Sequence, residues 1–208
     1  MNTISIQHIL VSLIAAVGLA ANGQCQSFLT EGLVAYYPFS GNASDATGNG
    51  HNGDVVGATL TTDRFGNAER AYLFGGTEAY ITASLNSTVF SGDFTVSVWF
   101  NATDYPLGWH SLLCQENESF YLVIPGSSSG SAGPGHLIAY SSTGSPAQFG
   151  WFLDYAQMMP TGTYCQAVVT KSGTDVTMYL NSEVAVAGKV TNPTMQPGRV
   201  CPRGRSRA

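Results

Sequence analysis

Residues 94–101, FTVSVWFN, show the clearest secondary-structure signal in the chain. Apolar and polar side chains alternate along them with a period of two, which sends Phe94, Val96 and Val98 to one face of a strand. Thr95 and Ser97 fall on the opposite face. The stretch therefore predicts a β-strand that packs one face on a hydrophobic core.

Ten more short runs share this character, and turn-forming residues separate them. With 24 glycines and only 10% charged residues, the composition suits many strands joined by tight turns. No run after the N-terminus keeps an apolar stripe at helical spacing for three turns, which disfavours a doubly wound α/β fold. We expect an all-β, antiparallel fold with strands at 33–37, 54–59, 71–74, 80–83, 94–101, 110–114, 120–124, 136–141, 163–171, 175–180 and 184–187.

The N-terminus is expected to direct export. Residues 9–21 form an apolar run that is too short to span a bilayer and fits the core of a signal peptide. We assign residues 1–23 to a signal peptide and residues 24–31 to a linker; a retained hydrophobic helix is the alternative. The protein is then secreted or at the cell surface, with no transmembrane segment after signal removal.

Charge argues against a nucleic-acid partner. The chain has a net charge of −5, but four of its eight basic residues are arginines in the last ten positions. Up to residue 198, four basic residues face thirteen acidic ones, a balance of −9. A part of the chain with this negative charge repels the phosphate backbone of a nucleic acid.

The cysteines allow a disulfide in an exported protein. Cys114 and Cys165 both lie in strand-like segments, and they either pair or remain two separate buried thiols. No CxxC spacing occurs, so a zinc site is not supported.

Three motifs in the first half of the chain carry a family resemblance. They are YPF at 37–39, DATGNG at 45–50 and DRFGNAERAYLFG at 63–75. With the strand at 94–100 and the segment TYCQAVVTKSGTDVTMYLN at 163–181, they resemble the laminin G-like jelly-roll domains of secreted bacterial proteins, in the concanavalin A-like lectin/glucanase superfamily. The resemblance covers about residues 32–187. It implies an antiparallel two-sheet jelly-roll sandwich and a non-catalytic module that binds glycans or surface proteins.

Two departures from the family pattern concern the last part of the chain. Ser182 stands where the family usually has a glycine, so the hairpin is expected to distort if that position needs a positive φ. The closing strand of the family is missing, and RVCPRGRSRA stands in its place. We therefore expect a C-terminally truncated domain at residues 32–198, an irregular basic tail at 199–208, and an exposed sheet edge at residues 33–37.

The resemblance also implies calcium in the loop after the first motif. Asp45 and Asn49 lie between glycines in this loop, whose backbone carbonyls can converge on one ion. The alternative is an Asx-rich turn in which both side chains bond to the backbone.

Aromatic residues near loops are the candidate ligand-binding residues, because aromatic faces pack against sugar rings. They are Trp109, Trp151, Tyr105 and Tyr140, with Tyr155 as a further candidate. We expect the concave sheet to form the groove, with Trp109 and Trp151 at its rim. Packing in the core or at its rim is the competing role for each.

Catalysis is not expected. The Glu-x-Asp-x-x-Glu motif of the glucanases that share the fold is missing, and the nearest acidic pair, Glu116 and Glu118, reads as a polar hairpin tip. His110 and His136 read as ordinary residues at strand starts, since no Gly-x-Ser-x-Gly elbow accompanies them. A degenerate glycoside hydrolase and a structural adhesion domain are the alternative functions.

Overall fold

A computed structural model describes residues 30–76, 78–86, 88–115, 120–127, 133–143 and 148–190. These residues fall into two compact units that divide between Ser84 and Leu85. The strands in them are β1 (Gly53–Val56), β2 (Thr59–Thr61), β3 (Ala71–Leu73), β4 (Tyr80–Ala83), β5 (Phe94–Phe100), β6 (Trp109–Cys114), β7 (Tyr121–Pro125), β8 (Leu137–Thr143), β9 (Gln148–Tyr155), β10 (Cys165–Ser172), β11 (Asp175–Leu180) and β12 (Glu183–Lys189).

The second unit is a two-sheet sandwich. Its four-stranded sheets have the orders β12-β11-β10-β5 and β6-β7-β8-β9, and every pairing is antiparallel. Val169 pairs with Val96 in the first sheet, and Leu122 pairs with Ala139 in the second. Side chains from both sheets join one buried cluster, so the sheets pack face to face. The all-β jelly-roll prediction is confirmed.

The first unit contains two shorter ribbons, β1 with β4 and β2 with β3. The sequence predicted one strand at 54–59, but Gly57 divides it, with a φ of +65°. A Cβ at Gly57 would lie 2.8 Å from the carbonyl oxygen of Glu78. Only glycine fits both the backbone angle and this close approach.

The predicted strand at residues 33–37 was wrong. The segment lies in no strand, and its backbone bonds to the following loop instead. Tyr36 N donates to Asp45 Oδ1, while Ala46 N donates to the carbonyl of Tyr36. Leu33, Val34 and Tyr36 are exposed, and part of the hydrogen-bonding capacity of the segment is satisfied without a neighbouring strand.

Strand β9 was not predicted from the sequence. Its core-facing residues, Trp151 and Leu153, enclose Phe152, which faces the other way. Three large apolar residues in a row conceal the alternation that revealed β5. Pairing with β8 identifies the strand, since Ala139 lies opposite Leu153.

The hairpin between β11 and β12 keeps a regular two-residue turn despite Ser182. Leu180 pairs directly with Glu183, and the turn residues Asn181 and Ser182 have φ angles of 49° and 73°. Position 182 does need a positive φ, so the departure from the family pattern produces local strain rather than a different turn.

Cys165 is a buried thiol in the core, and no disulfide joins it to Cys114. Several predictions lie outside the described residues: the signal peptide at 1–23, most of the linker at 24–31, the Glu116–Glu118 pair, the closing strand and the basic tail at 199–208. Among the helices of the described part, none is long and apolar enough to cross a membrane.

Candidate functional site

The side chains of strand β7 alternate between the two faces of the sheet β6-β7-β8-β9. Leu122 and Ile124 point into the core between the sheets, whereas Tyr121 and Val123 join a second cluster with Ile138. The period-two alternation of a strand puts this second cluster on the opposite side of the sheet. We call this side the outer face.

A row of three aromatic rings crosses the outer face. Tyr121 lies opposite Tyr140 in the β7–β8 register, and Tyr140 lies opposite Phe152 in the β8–β9 register. The first two rings stack with centroids 4.7 Å apart and an interplanar angle of 12°. The second and third rings have centroids 6.2 Å apart. Phe152 is 47% exposed, so the row ends at an accessible ring.

Trp109 stands beside this row at the start of β6. Its side chain is 47% exposed, and with Ser111, Tyr121, Val123 and Tyr140 it lines a pocket of about 160 Å³. Drug-sized ligands occupy pockets of about 300–1,000 Å³. The depression therefore suits one small ring rather than a large cofactor.

A polar pair lies on the same face. Asp154 follows Phe152 by two residues on β9, and its Oδ1 lies 3.1 Å from Nδ1 of His136. The two side chains are 28% and 19% exposed, so both reach solvent. In the β8–β9 register Asp154 lies opposite Ile138, which lies opposite Val123 of the pocket. The outer face thus combines aromatic surface with a carboxylate and an imidazole.

Two of the four predicted ligand-binding residues meet in this pocket, namely Trp109 and Tyr140. The expectation that Trp151 lies in or beside a loop was wrong: it sits within β9, is 2% exposed and packs in the core. Tyr105 also packs against the core, and its hydroxyl donates to the carbonyl of Met159. The further candidate Tyr155 is partly buried against the core as well.

Tyr121 and Phe152 were not among the residues predicted to bind a ligand. Tyr121 lies in YLVIP, an apolar run without polar alternation, so its face cannot be read from the pattern. The register with Tyr140 shows which face it takes. A signal existed for Tyr121 alone, because it and Tyr140 lie in the neighbouring predicted strands at 120–124 and 136–141.

The predicted calcium residue Asp45 is held by the chain itself. Its Oδ1 accepts hydrogen bonds from Tyr36 N, Thr47 N and the Thr47 hydroxyl, and its Oδ2 accepts from the same hydroxyl and from His51 N. Desolvation opposes ionisation, but the hydrogen bonds from Thr47, Tyr36 and His51 outweigh it and lower the pKa of Asp45 to about 2. The carboxylate closes the loop as an Asx-type turn.

Asn49 is likewise engaged with the backbone, since its Nδ2 donates to the carbonyls of Leu33 and Val34 at 3.2 and 2.9 Å. Ca²⁺ requires six to eight oxygen ligands, whereas N–H and O–H donors surround the Asp45 carboxylate. The described residues also contain no cluster of three His, Cys, Asp or Glu side chains that could hold a metal. As placed here, Asp45 and Asn49 do not fit a calcium ion.

Comparison with solved structures identifies similar folds. Domain 4 of AbnA, an extracellular GH43 arabinanase from Geobacillus stearothermophilus solved with arabinotriose, is 17% identical, with a TM-score of 0.55 over 80% of this chain and 78% of that domain. The binding domain of botulinum neurotoxin serotype D/C is 12% identical, with a TM-score of 0.52 over 74% of this chain and 38% of that one. At such identity the likeness concerns the fold alone.

A botulinum neurotoxin type C structure, described as dependent on two ganglioside molecules for cell entry, gives a TM-score of 0.52 at 12% identity, over 80% of this chain and 40% of that one. The chain thus spans about two fifths of either toxin structure. No curated protein matches the sequence. The laminin G-like family model matches residues 74–200, more than half of the chain. The chain belongs to the concanavalin A-like lectin/glucanases superfamily.

Proposed function

We propose that this protein is a secreted, non-catalytic carbohydrate-binding module that holds its ligand on the outer face of the sheet β6-β7-β8-β9. The observation that carries the proposal is the pocket beside Trp109, in which exposed indole surface meets Tyr121 and Tyr140. The C–H groups of a sugar ring are apolar and pack against aromatic faces, while its hydroxyls bond to polar groups at the edge.

A sugar suits this pocket better than a protein surface does. A stable protein–protein interface buries about 1,200–2,000 Å² in total, far more than a pocket beside one exposed tryptophan offers. The arabinotriose complex of the AbnA domain supports the same class of ligand by analogy of fold.

A binding role without hydrolysis is favoured by the carboxylates of the sheet. Glycoside hydrolases use two carboxyl groups, about 5–5.5 Å apart when retaining and about 6.5–9.5 Å apart when inverting. The four strands of this sheet contain one, Asp154. Glu116 and Glu118 lie outside the described residues, so a Glu116→Gln/Glu118→Gln variant tests the hydrolase alternative directly.

Secretion is supported by the apolar run at residues 9–21 and by the extracellular origin of the AbnA domain. The proposed module works outside the cell, where it would meet polysaccharides or surface glycans.

The experiment compares two tryptophans on opposite sheets. Trp109 and Trp99 are 47% and 41% exposed, but Trp99 belongs to β5 and faces away from the core of the sandwich. The secreted chain is screened on a glycan array, and the best ligand is titrated against Trp109→Ala and Trp99→Ala. Trp109→Ala should weaken binding by roughly tenfold to thirtyfold, as expected for a central aromatic contact, and Trp99→Ala should leave it unchanged.

Equal losses in both variants, or binding that survives Trp109→Ala, would place the site elsewhere. Absence of binding to every glycan on the array would contradict the proposed function itself. Release of reducing sugar that disappears in the Glu116→Gln/Glu118→Gln variant would favour the hydrolase.

A further inference from the structure

The described strands of the outer face carry no permanent positive charge. Its four strands contain no lysine or arginine. Along the sequence, no lysine or arginine occurs between Arg70 and Lys171, so the loops that join these strands have none either. The same interval has six acidic residues: Glu78, Asp93, Asp104, Glu116, Glu118 and Asp154.

A carboxylate or sulfate on a sugar needs a cationic or N–H-rich partner when it leaves water, because an unpaired ion is costly to desolvate. Arginine is the usual partner, since its planar fork matches such anions. On the described strands of this sheet the acidic side chain is instead Asp154, and its carboxylate repels an anion.

His136 does not supply the missing cation. Its Nδ1 lies 3.1 Å from Asp154 Oδ1, so this nitrogen is engaged by the carboxylate and does not face a ligand anion. When Nδ1 carries the hydrogen, the ring donates to Asp154 and fixes the orientation of its side chain. His136 is then a positioning residue for an acceptor of sugar hydroxyl groups.

We infer, on the basis of the proposed function, that the site selects neutral glycans and discriminates against acidic ones such as sialylated or uronic-acid-containing chains. Sugar rings pack near Trp109, and hydroxyls further along the glycan donate to Asp154. Two strand spacings separate Asp154 from the pocket residue Val123, about 10 Å, so a ligand longer than one ring spans both.

The size of the discrimination follows from Coulomb's law. Two like charges about 8–10 Å apart, at an effective dielectric constant between about 20 and 80, change affinity by roughly twofold to thirtyfold. Desolvation of the unpaired anion adds to this ratio. The hydroxyl bonds of a carboxylate are stronger than those of an amide, so Asp154→Asn should also weaken the binding of neutral glycans by about tenfold.

The test uses matched glycan pairs with the full secreted chain, above neutral pH where an ordinary histidine is uncharged. Lactose is compared with 3′-sialyllactose, and galactan with polygalacturonate, together with the best neutral ligand from the array and its uronic-acid counterpart. The neutral member of each pair should bind more tightly, by the roughly twofold to thirtyfold that charge repulsion gives or by more. Asp154→Asn should narrow that ratio, whereas Asp175→Asn, which removes an exposed charge from the other sheet, should leave it unchanged.

The possible failures are distinguishable. An acidic glycan that binds as tightly as its neutral partner, with binding still lost in Trp109→Ala, would overturn the charge selection and leave the proposed function intact. A ratio unaffected by Asp154→Asn would overturn the role of that carboxylate. Absence of binding to all glycans would overturn both proposals.

Discussion

The loop at residues 45–52 and the aromatic residues Trp109 and Tyr140 were both predicted from the sequence to bind ligands, yet their surroundings in the structure differ. In the loop, Asp45 and Asn49 bond to the backbone of their own unit. On the sheet, Trp109 and Phe152 each keep 47% of their surface exposed.

A cluster of polar residues and a set of aromatic residues in a sequence therefore do not predict a ligand site equally well. A carboxylate that accepts three backbone N–H groups has little capacity left for a ligand, so its role is to hold the loop. The face of an aromatic ring is not used up by hydrogen bonds in this way. Whether the ring can bind a ligand depends on how much of its surface is accessible. Exposure, rather than residue type, separates Trp109 from Trp151.

The largest effect is expected from Trp151→Ala, on the core side of the same sheet. Removing this fully buried side chain leaves a large cavity and should lower the free energy of unfolding by about 3–5 kcal/mol, measured by denaturant titration. Trp109→Ala is the control and should change it by less than about 1 kcal/mol. A reversed order would mean that the two faces of β6-β7-β8-β9 had been interchanged.

A smaller effect is expected in the loop, from Asp45→Asn. The amide replaces one acceptor oxygen with an N–H₂ group that faces backbone donors, so the thermal midpoint should fall by less than in Trp151→Ala while glycan binding is retained. Asp54→Asn, at an exposed position on β1, should leave the midpoint unchanged.

The same variant gives a pH signature. The pKa of Asp45 is about 2 in the folded state against an ordinary 3.8, so its stabilising contribution is complete above pH 3.8 and is lost as the pH falls towards 2. Asp63 also has a lowered pKa and adds to the decline in the wild type, which is why the difference from Asp45→Asn is the quantity to measure. If the stability of the wild type and that of Asp45→Asn fell equally with decreasing pH, Asp45 would not be held by the hydrogen bonds described.

A still smaller change, this time favourable, is expected at the β11–β12 turn. Ser182 has a φ of 73°, and Ser182→Gly should relieve the strain and raise the free energy of unfolding by about 0.5–1 kcal/mol. The neighbouring Asn181 resembles Asp45 in that its side chain bonds to the backbone: its Oδ1 accepts a hydrogen bond from Gln166 N. Asn181→Gly loses that bond and should show no gain; a gain of the same size at both positions would argue against a specific role for the Asn181 side chain.

The smallest expected effect is that of calcium. Since donors already surround the Asp45 carboxylate, the thermal midpoint should be the same in millimolar calcium and in excess chelator. A ligand at 100 times its Kd that binds only the folded state would add about 2.7 kcal/mol, an increase easily seen by calorimetry. Such an increase, abolished in Asp45→Asn, would show that the loop rearranges to admit the ion.

The sequence by itself determined the fold class and most of the strands. Period-two alternation identified β5, and the motifs at 37–39, 45–50 and 63–75 indicated the superfamily. The sequence also marked Ser182 as a position where the hairpin would be strained if the backbone needed a positive φ. These features depend on interactions between residues close in sequence, or on patterns that a local window contains.

Only the tertiary structure decided which side of a strand becomes a surface. Tyr121 and Leu122 are neighbours in an unbroken apolar run, and the pairing of β7 with β8 and the second sheet assign one to the outer face and the other to the core. The partners of Asp45 include Tyr36, nine residues earlier, so its saturation is equally invisible in the loop sequence. Burial and hydrogen bonding arise from contacts between distant segments, which is why the same residue types form an exposed sheet face in one place, a buried core in another and a hydrogen-bonded loop in a third.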